Sequence, residues 1–236
     1  MMAPPASATI SVIIPAYNAA LYLPQALASV MGQAGHRLEV IVVDDASSDE
    51  TAAIAASFET KGVRCLRRPI QGGAGAARNS GVAAAQGEYL AFLDADDLWP
   101  TGRLSFLLAT LDGATAPRIA FGHMRQFLCP EMSPEIRRRL QCPTDPMPGY
   151  CAGAMLLRRE DFHRVGPFEE DLKVGEFIGW FARARDLGFA PIMIEDVVLE
   201  RRIHGANQTI NHRGNYTDYV HALKRALDRR RPGAAS

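Results

Sequence analysis

The chain has 236 residues, of which 47% are hydrophobic and 22% charged, and its formal net charge at pH 7 is zero. This length suits one large domain with a sizeable core, and a neutral chain has no overall field that would attract nucleic acid. No stretch approaches the roughly 18 apolar residues that a membrane-spanning helix needs. We therefore expect a soluble protein with no nucleic-acid partner.

The cysteines and the first residues of the chain indicate the cellular compartment of the protein. The cysteines are far apart and form no C-x-x-C pair: Cys65, Cys129, Cys142 and Cys151. This spacing predicts neither a zinc site nor a disulfide framework, and reduced thiols are typical of the cytoplasm. Residues 1–9 are a Pro/Ala-rich lead without the basic and apolar regions of a signal peptide. We expect this lead to be flexible and the protein to be cytoplasmic.

The first half of the chain alternates short apolar runs with helix-like segments. The apolar runs predict strands at Ile10–Ile14, Leu38–Val43, Val63–Leu66 and Tyr89–Leu93. Helices are predicted at Leu21–Gly32, Ser47–Phe58, Gly72–Ala85 and from about Thr101 onward. Strands and helices that alternate at such short intervals favour an α/β fold with a parallel, doubly wound sheet.

The second half is less regular. Repeated prolines between residues 128 and 149 argue against long elements there, apart from a short helix near Glu135–Leu140. The strands predicted in this half and just before it are Arg118–Met124, Gly153–Leu157, Pro191–Ile194 and Val197–Ile203. The predicted helices are Arg159–Val165, Val174–Leu187 and an amphipathic Tyr216–Arg230.

Segments that carry polar side chains follow three of the predicted strands at the point where each strand ends. They are the turn Pro15–Asn18, the pair Asp44 and Asp45, and the cluster Asp94, Asp96 and Asp97. In a parallel α/β sheet ligands bind beyond the carboxyl ends of the strands, so these residues should converge. Crowded carboxylates repel each other, and Mg²⁺ or Mn²⁺ would neutralise them while binding substrate phosphates. The pattern predicts a phosphate and metal site, with a solvated Asp-rich turn as the alternative.

Four motifs carry a resemblance to a known family. They are Ser11–Asn18, Val40–Thr51, Gly75–Gly81 and Gly87–Trp99. In this order and spacing they resemble the family 2 glycosyltransferases. The resemblance implies a GT-A (Rossmann-like), mostly parallel sheet flanked by helices, in which residues 10–125 bind the nucleotide-sugar. Residues 126–236 would form the less regular half of the same domain, which binds the acceptor and carries the catalytic base.

The resemblance also implies an activity. It is the inverting, metal-dependent transfer of a sugar from a nucleotide-diphosphate donor, most often a UDP-sugar, to a hydroxyl of an acceptor. The acceptor could be a saccharide or lipid-linked, and the cofactor is Mn²⁺ or Mg²⁺. Arginine runs at residues 137–139 and 229–231 leave a peripheral contact with the inner face of the membrane open.

By the same resemblance, the first half supplies the nucleotide site. Asp45 would accept a hydrogen bond from the nucleobase, and Arg78 would bind the nucleotide or its phosphates with its permanent charge. The other residues assigned to the sugar-nucleotide are Pro15, Ala16, Tyr17, Asn18, Asp94 and Ala95. Ordinary turn chemistry at Tyr17 and Asn18, and a surface role for Arg78, are the alternatives.

Asp94-Ala-Asp96 is similar to the family's D-x-D motif, which implies that Asp96 ligates the metal. His204 resembles a histidine that lies near the metal or the diphosphate in many relatives, and a structural histidine is the alternative. Asp97 could be no more than an acid close to a helix. The arginines beside His204, Arg201 and Arg202, would bind diphosphate or pair with neighbouring acids.

The catalytic base implied by the family is an acid that opens a helix in the second half, and Glu176 stands at that position. A second acid usually follows, but here the next residue is Phe177. Glu176 could instead be an ordinary acid in the first turn of a helix. The remaining candidates for the base are Glu169, Glu170 and Asp171.

Two other classes stay open. A nucleotidyltransferase usually has a glycine-rich loop with a basic residue after its first strand, whereas this chain has Pro-Ala-Tyr-Asn. A non-catalytic nucleotide-sugar binder would fit if Phe177 reflects a lost base. A hydride-transfer Rossmann protein is disfavoured because Arg78 stands where the third glycine of the dinucleotide fingerprint would be.

Overall fold

A computed structural model of the chain describes residues 8–112, 116–139, 142–172, 174–204 and 216–229. The strands are β1 (Thr9–Ala16), β2 (Arg37–Asp44), β3 (Val63–Arg67), β4 (Tyr89–Phe92), β5 (Arg118–Leu128), β6 (Met147–Pro148), β7 (Met155–Arg158) and β8 (Ala190–Ile203). The helices are α1 (Leu23–Met31), α2 (Thr51–Ser57), α3 (Gly73–Ala84), α4 (Arg103–Leu111), α5 (Pro134–Arg139), α6 (Arg159–Val165), α7 (Glu176–Asp186) and α8 (Tyr216–Arg229). Most of the predicted lead, with Leu140, Arg230 and Arg231, lies outside these residues.

The strands form one sheet in the order β3-β2-β1-β4-β7-β5-β6, with β8 paired to β5. The first four strands in the chain run parallel. Strand β7 is antiparallel to β4 and to β5, and β8 is parallel to β5. The predicted α/β class, with a sheet flanked by helices, is confirmed. Every antiparallel strand pair described includes β6 or β7. The parallel strands β1, β2 and β4 therefore all end at the same edge.

Helices bury both faces of the sheet. Successive side chains of a strand point to opposite faces, and in β1 Val12 packs on the side of α1 and α4 whereas Ile13 packs on the side of α3. The three strands at the centre of the parallel part are buried over most of their length. This double coverage explains why their sequences read as continuous apolar runs.

The structure differs from the sequence-based prediction in the closing strands. The two strands predicted at Pro191–Ile194 and Val197–Ile203 are one strand, β8, which pairs with β5 along its length. The pairing shifts register between Gly122 and His123, and Glu195 and Asp196 between the two parts are exposed. The charged pair therefore bulges from the sheet and does not end the strand.

Three further predictions concern membrane-spanning helices, the cysteines and the final helix. Within the described part of the chain, no helix is long and apolar enough to cross a membrane. The four cysteines are free thiols. The predicted final helix is α8, which packs against α7 and places Arg225 in an ion pair with Asp171. Contact of this helix with a membrane stays a prediction.

Candidate active site

A cleft of about 750 Å³ opens at the ends of β1, β2 and β4 and reaches the start of α7 and the end of β8. Its size lies within the range typical of small-molecule sites. Eleven residues predicted for the site line this cleft: Pro15, Ala16, Tyr17, Asn18, Asp45, Arg78, Asp94, Ala95, Asp96, Glu176 and His204. The fold therefore brings the two halves of the predicted site together, while the role of each residue stays a prediction.

The turns that follow β1 and β2 brace each other. The backbone N–H of Asn18 donates to Ser47 Oγ over 3.0 Å, and Asn18 Oδ1 accepts from the backbone N–H of Ser48 over 2.9 Å. Asn18 and Ala46 both have positive φ angles, 48° and 61°, which non-glycine residues rarely adopt. The Asn18 side chain is thus engaged in turn chemistry, whereas the Tyr17 side chain beside it is 42% exposed.

Asp45 is buried at the end of β2 and binds the segment that leads into α3. Its carboxylate accepts from the backbone N–H of Gly72 over 3.1 Å and of Gly73 over 2.7 Å, and it pairs with the guanidinium of Arg68. Asp44 accepts from the backbone N–H of Ser47 over 3.0 Å and so braces its own turn. The Asp45 carboxylate therefore shapes the floor of the cleft, where the nucleobase is predicted to lie.

The three aspartates after β4 have different surroundings. The side chains of Asp94 and Asp96 are 44% and 30% exposed. Asp97 is buried, and its Oδ1 accepts from the backbone N–H of Arg202 over 2.8 Å. Burial, with the negative charges of Asp96 and Asp94, raises the pKa of the Asp97 carboxyl well above its usual range. Asp97 thus anchors the motif to β8, and the other two face the cleft.

Asp96 and His204 could hold a divalent cation. His204 Nε2 lies 2.9 Å from Asp96 Oδ2, close to the roughly 3.0 Å between neighbouring ligands of an octahedral ion at about 2.1 Å. A carboxylate and an imidazole suit Mn²⁺, and a carboxylate suits Mg²⁺. No three His, Cys, Asp or Glu side chains among the described residues are grouped as a complete metal site. The remaining ligands would therefore come from a diphosphate and water.

Arg202, which was predicted to bind diphosphate or to pair with neighbouring acids, does not line the cleft. It is buried, its Nε donates to the carbonyl of Asp96 over 2.8 Å, and its Nη2 donates to Gln25 Oε1 over 2.6 Å. Its guanidinium also lies over the rings of Tyr22 and Phe127. Strand alternation explains this placement, because Arg201 lines the cleft and its neighbour must face the other way. Arg202 supports the backbone of the D-x-D motif from behind.

Arg78 joins the two halves of the cleft. Its Nη2 lies 2.6 Å from Asp94 Oδ1, its Nη1 lies 2.5 Å from Glu176 Oε1, and its side chain is only 5% exposed. Burial opposes the charge, but the two carboxylates outweigh it and raise the pKa of Arg78. Glu176 is the first residue of α7, after Gly175 at φ 85°. Arg78 is therefore not a surface arginine, and Glu176 is more than a solvated first-turn acid.

The other candidates for the base are engaged elsewhere. Glu169 pairs with Arg183, Glu170 accepts from Asn79 Nδ2, and Asp171 pairs with Arg225. None of the three lines the cleft. Among the acids named for this role, Glu176 alone faces the cleft.

Phe177 belongs to an aromatic wall of the cleft. Its ring is stacked on Phe181, with centroids 5.7 Å apart and planes 10° from parallel, and it meets the edge of Phe121. Tyr150, which is 49% exposed, packs against Phe121 and Phe181. The residue in place of the usual second acid thus has a packing role.

Comparison with known proteins agrees with this architecture. Residues 11–166 match the model of Glycosyl transferase family 2. An uncharacterized glycosyltransferase of Rickettsia typhi is 29% identical over 231 residues, which cover 92% of this chain and 70% of that protein. The succinoglycan biosynthesis protein ExoO of Rhizobium meliloti is 37% identical over 107 residues, which cover 45% of this chain and 31% of ExoO.

Two solved structures show the same fold. Mannosyltransferase PcManGT of Pyrobaculum calidifontis, solved with GDP-Man and Mn²⁺, superposes with a TM-score of 0.71 at 20% identity, over 94% of this chain and 65% of that one. S. aureus TarS 1-349, solved with UDP-GlcNAc, gives 0.67 at 20% identity, over 84% of this chain and 60% of that one. The chain thus spans about a third of ExoO and less than two thirds of these structures.

The sheet, its helices and the cleft at its edge define a GT-A protein, the α/β fold that these solved glycosyltransferases share. The family match covers more than half of the chain. The chain belongs to Glycosyl transferase family 2.

Proposed function

We propose that the protein transfers a sugar from a nucleotide-diphosphate donor to a hydroxyl group of an acceptor, with inversion at C1 and with a divalent metal. The observation that carries this proposal is that the side chains of Asp96 and His204, in contact at 2.9 Å, share one cleft with the Glu176 carboxylate. Membership of the family, and nucleotide-sugars in the two structural neighbours, support the same class of donor. A UDP-sugar is the donor to test first.

The nucleotide would bind between the ends of β1 and β2. Pro15, Ala16 and the half-exposed Tyr17 border this part of the cleft, and Asp45 lies at its floor. A ring such as that of Tyr17 can cover a nucleobase, and the strand ends offer backbone N–H and carbonyl groups to its edge. Asp45 already binds two backbone N–H groups, so it enters the site as a fixed acceptor. Asn18 would support this turn.

The diphosphate would lie beside the D-x-D motif. Asp96 and His204 would hold Mn²⁺ or Mg²⁺, and Asp94 and Ala95 would border the ribose and sugar. A bound cation would neutralise the charge that develops on the leaving diphosphate. Arg201 also lines the cleft and would add positive charge there. The described residues contribute few metal ligands themselves, which fits an ion that binds together with the donor.

Glu176 would act as the general base. Direct displacement needs a carboxylate that takes the acceptor's proton as its oxygen attacks C1, and a single displacement inverts the configuration there. Glu176 is held at the start of α7, and its side chain is 12% exposed toward the cleft. The departing diphosphate and the base would then lie on opposite sides of the sugar. This arrangement suits an in-line attack.

The acceptor would enter along an aromatic wall formed by Phe177 and Tyr150, which line the cleft and pack on Phe181 and the buried Phe121. Such a wall can contact the apolar face of a sugar ring or the chain of a lipid-linked acceptor. Both acceptor classes stay within the proposal, together with a peripheral membrane contact for the lipid-linked case. A non-catalytic binder would have the same nucleotide site without turnover.

A panel of nucleotide-sugars tests this proposal in two stages. UDP-GlcNAc, UDP-glucose, UDP-galactose and GDP-mannose are screened by thermal shift with and without Mn²⁺, because a ligand that binds the native state raises the melting temperature. Release of the nucleotide from the best donor is then measured. A metal-dependent shift with release supports the transferase, and a shift without release from any donor indicates the non-catalytic binder.

A further inference from the structure

We propose that Arg78 is a positioning residue for Glu176. Its guanidinium would hold the carboxylate of the proposed base in the cleft and tie it to Asp94 on the donor side. This inference rests on the proposed function, because it takes Glu176 as the base. It gives Arg78 a role different from the contact with the nucleotide that the family resemblance implies.

The contacts of Arg78 leave it little capacity for a nucleotide. One terminal nitrogen binds Asp94 at 2.6 Å and the other binds Glu176 at 2.5 Å. Phosphate recognition by arginine uses this same pair of nitrogens as a fork. The Arg78 side chain is 5% exposed and its guanidinium packs over the ring of Phe168. Arg78 thus connects two protein carboxylates from inside the wall of the cleft.

The neighbours of Arg78 on α3 fasten this helix to the segment that leads into α7. A Cβ atom on Gly75 would lie 2.6 Å from the carbonyl oxygen of Glu169 and 3.5 Å from Cβ of Glu176, so glycine permits the close approach. Asn79 accepts from the backbone N–H of Phe168 over 2.9 Å and donates to its carbonyl over 3.0 Å. The helix therefore presents Arg78 to Glu176 at a fixed separation.

The geometry leaves Glu176 able to act. Arg78 contacts Oε1, and no hydrogen bond within the described residues engages Oε2 of Glu176. Oε2 is therefore available for the hydroxyl of an acceptor. Without the guanidinium, Asp94 and Glu176 would be two neighbouring negative charges with no cation between them, and they would repel. Arg78 holds together the donor side and the acceptor side of the reaction.

Two substitutions test this role. Arg78→Lys keeps the charge but loses the planar fork that spans both carboxylates, and Arg78→Ala removes the group. For the panel donor with the highest wild-type turnover, we expect kcat to fall by about 100-fold, as for a small misplacement of a catalytic group. Affinity for UDP with Mg²⁺, measured by calorimetry, should change little. Added guanidinium chloride at millimolar concentration should restore part of the kcat of Arg78→Ala.

Arg183→Lys is the matched control. Arg183 lies on α7 itself and binds Glu169 and the carbonyl of Pro167, so its loss loosens the same region without touching the cleft. We expect a lower melting temperature with kcat retained. If Arg183→Lys lowers kcat as far as Arg78→Lys does, or if guanidinium restores nothing, Arg78 has only a structural role. If the Arg78 variants lose UDP affinity and retain kcat, Arg78 is a nucleotide ligand.

Crystal structures of Arg78→Ala and Arg183→Lys provide a test that does not depend on turnover. The inference predicts that the Glu176 carboxylate moves by about 1 Å or more in the first variant and stays in place in the second. An unmoved Glu176 in Arg78→Ala would overturn it. A wild-type protein that turns over no donor would refute the proposed function, and the position of Glu176 would still decide this inference.

Discussion

His204 Nε2 lies 2.9 Å from Asp96 Oδ2 although 108 residues separate them in the chain. Backbone hydrogen bonds hold the two segments together, because Leu98 and Glu200 donate to each other's carbonyls over 2.9 and 2.8 Å. Arg202 adds a side-chain bond to the carbonyl of Asp96. The pair is therefore set by the fold before any ligand binds, as preorganised sites require.

The first prediction concerns this pair. Asp96→Asn should abolish Mg²⁺- and Mn²⁺-dependent binding of UDP, and His204→Ala should weaken it, because each removes a proposed ligand. The loss for Asp96→Asn should exceed the 10–100-fold or so that removal of an outer-shell partner costs. Calorimetric titration with UDP and each metal measures the effect. Asp171→Asn, which removes an exposed carboxylate paired with Arg225, is the control and should bind as the wild type does.

The second prediction separates binding from chemistry. Glu176→Gln keeps the size of the side chain but cannot accept a proton, so turnover should fall by about 10²–10⁴-fold, the usual contribution of a general base. Affinity for UDP should be retained. Glu160→Gln changes another acid in the first turn of a helix, one that is exposed on α6, and should leave turnover unaltered. Turnover that persists in Glu176→Gln would move the base elsewhere.

The third prediction tests the departure from the family pattern at Phe177. Phe177→Asp restores an acid there, but it places a carboxylate among the rings of Phe121, Trp180 and Phe181. We expect a loss of about 2 kcal/mol or more in the free energy of unfolding and no gain in turnover. Denaturant unfolding measures the free energy of unfolding, and release of UDP measures turnover. Phe177→Leu, which keeps the wall apolar, should lose less free energy of unfolding. Higher turnover in Phe177→Asp would contradict the packing role.

The fourth prediction concerns the approach of α3 to the sheet. Gly81 packs so closely on β1 that an added Cβ would overlap the side chain of Ile13. Gly81→Ala should therefore lower the free energy of unfolding by about 1–3 kcal/mol, as overpacking of a core does. Gly32→Ala is the matched control, because its Cβ would have only ordinary contacts and its φ of −72° suits alanine. Equal stability of the two variants would be evidence against tight packing of α3.

The sequence was sufficient to predict the parallel half of the fold. Continuous apolar runs such as Val40–Val43 indicate strands covered on both faces, and the structure buries them in that way. The sequence was not sufficient to predict the closing strand β8, because Glu195 and Asp196 interrupt the apolar pattern as a turn would. Only the pairing of β8 with β5 shows that this charged pair is a bulge within one strand.

The site was predictable to the extent that strand ends converge. Asp45 and Asp96 follow from that rule, because each lies just beyond a buried strand. The ion pair of Arg78 with Glu176 and the support from Arg202 were not predictable, since each joins residues about 100 positions apart. A charged residue next to a strand end shows that charge is present, and only the packed fold decides which partner it binds.

The central claim is that this cleft transfers a sugar with inversion. Proton NMR of UDP-GlcNAc, whose sugar is α-linked, with the protein and Mg²⁺ tests it directly, and water can serve as the acceptor. We expect release of UDP together with the β-anomer of the free sugar as the first product, and neither product with Glu176→Gln. If UDP-GlcNAc is not used, the best donor of the panel replaces it. A donor that binds but stays intact, or first product with C1 configuration retained, would contradict the account.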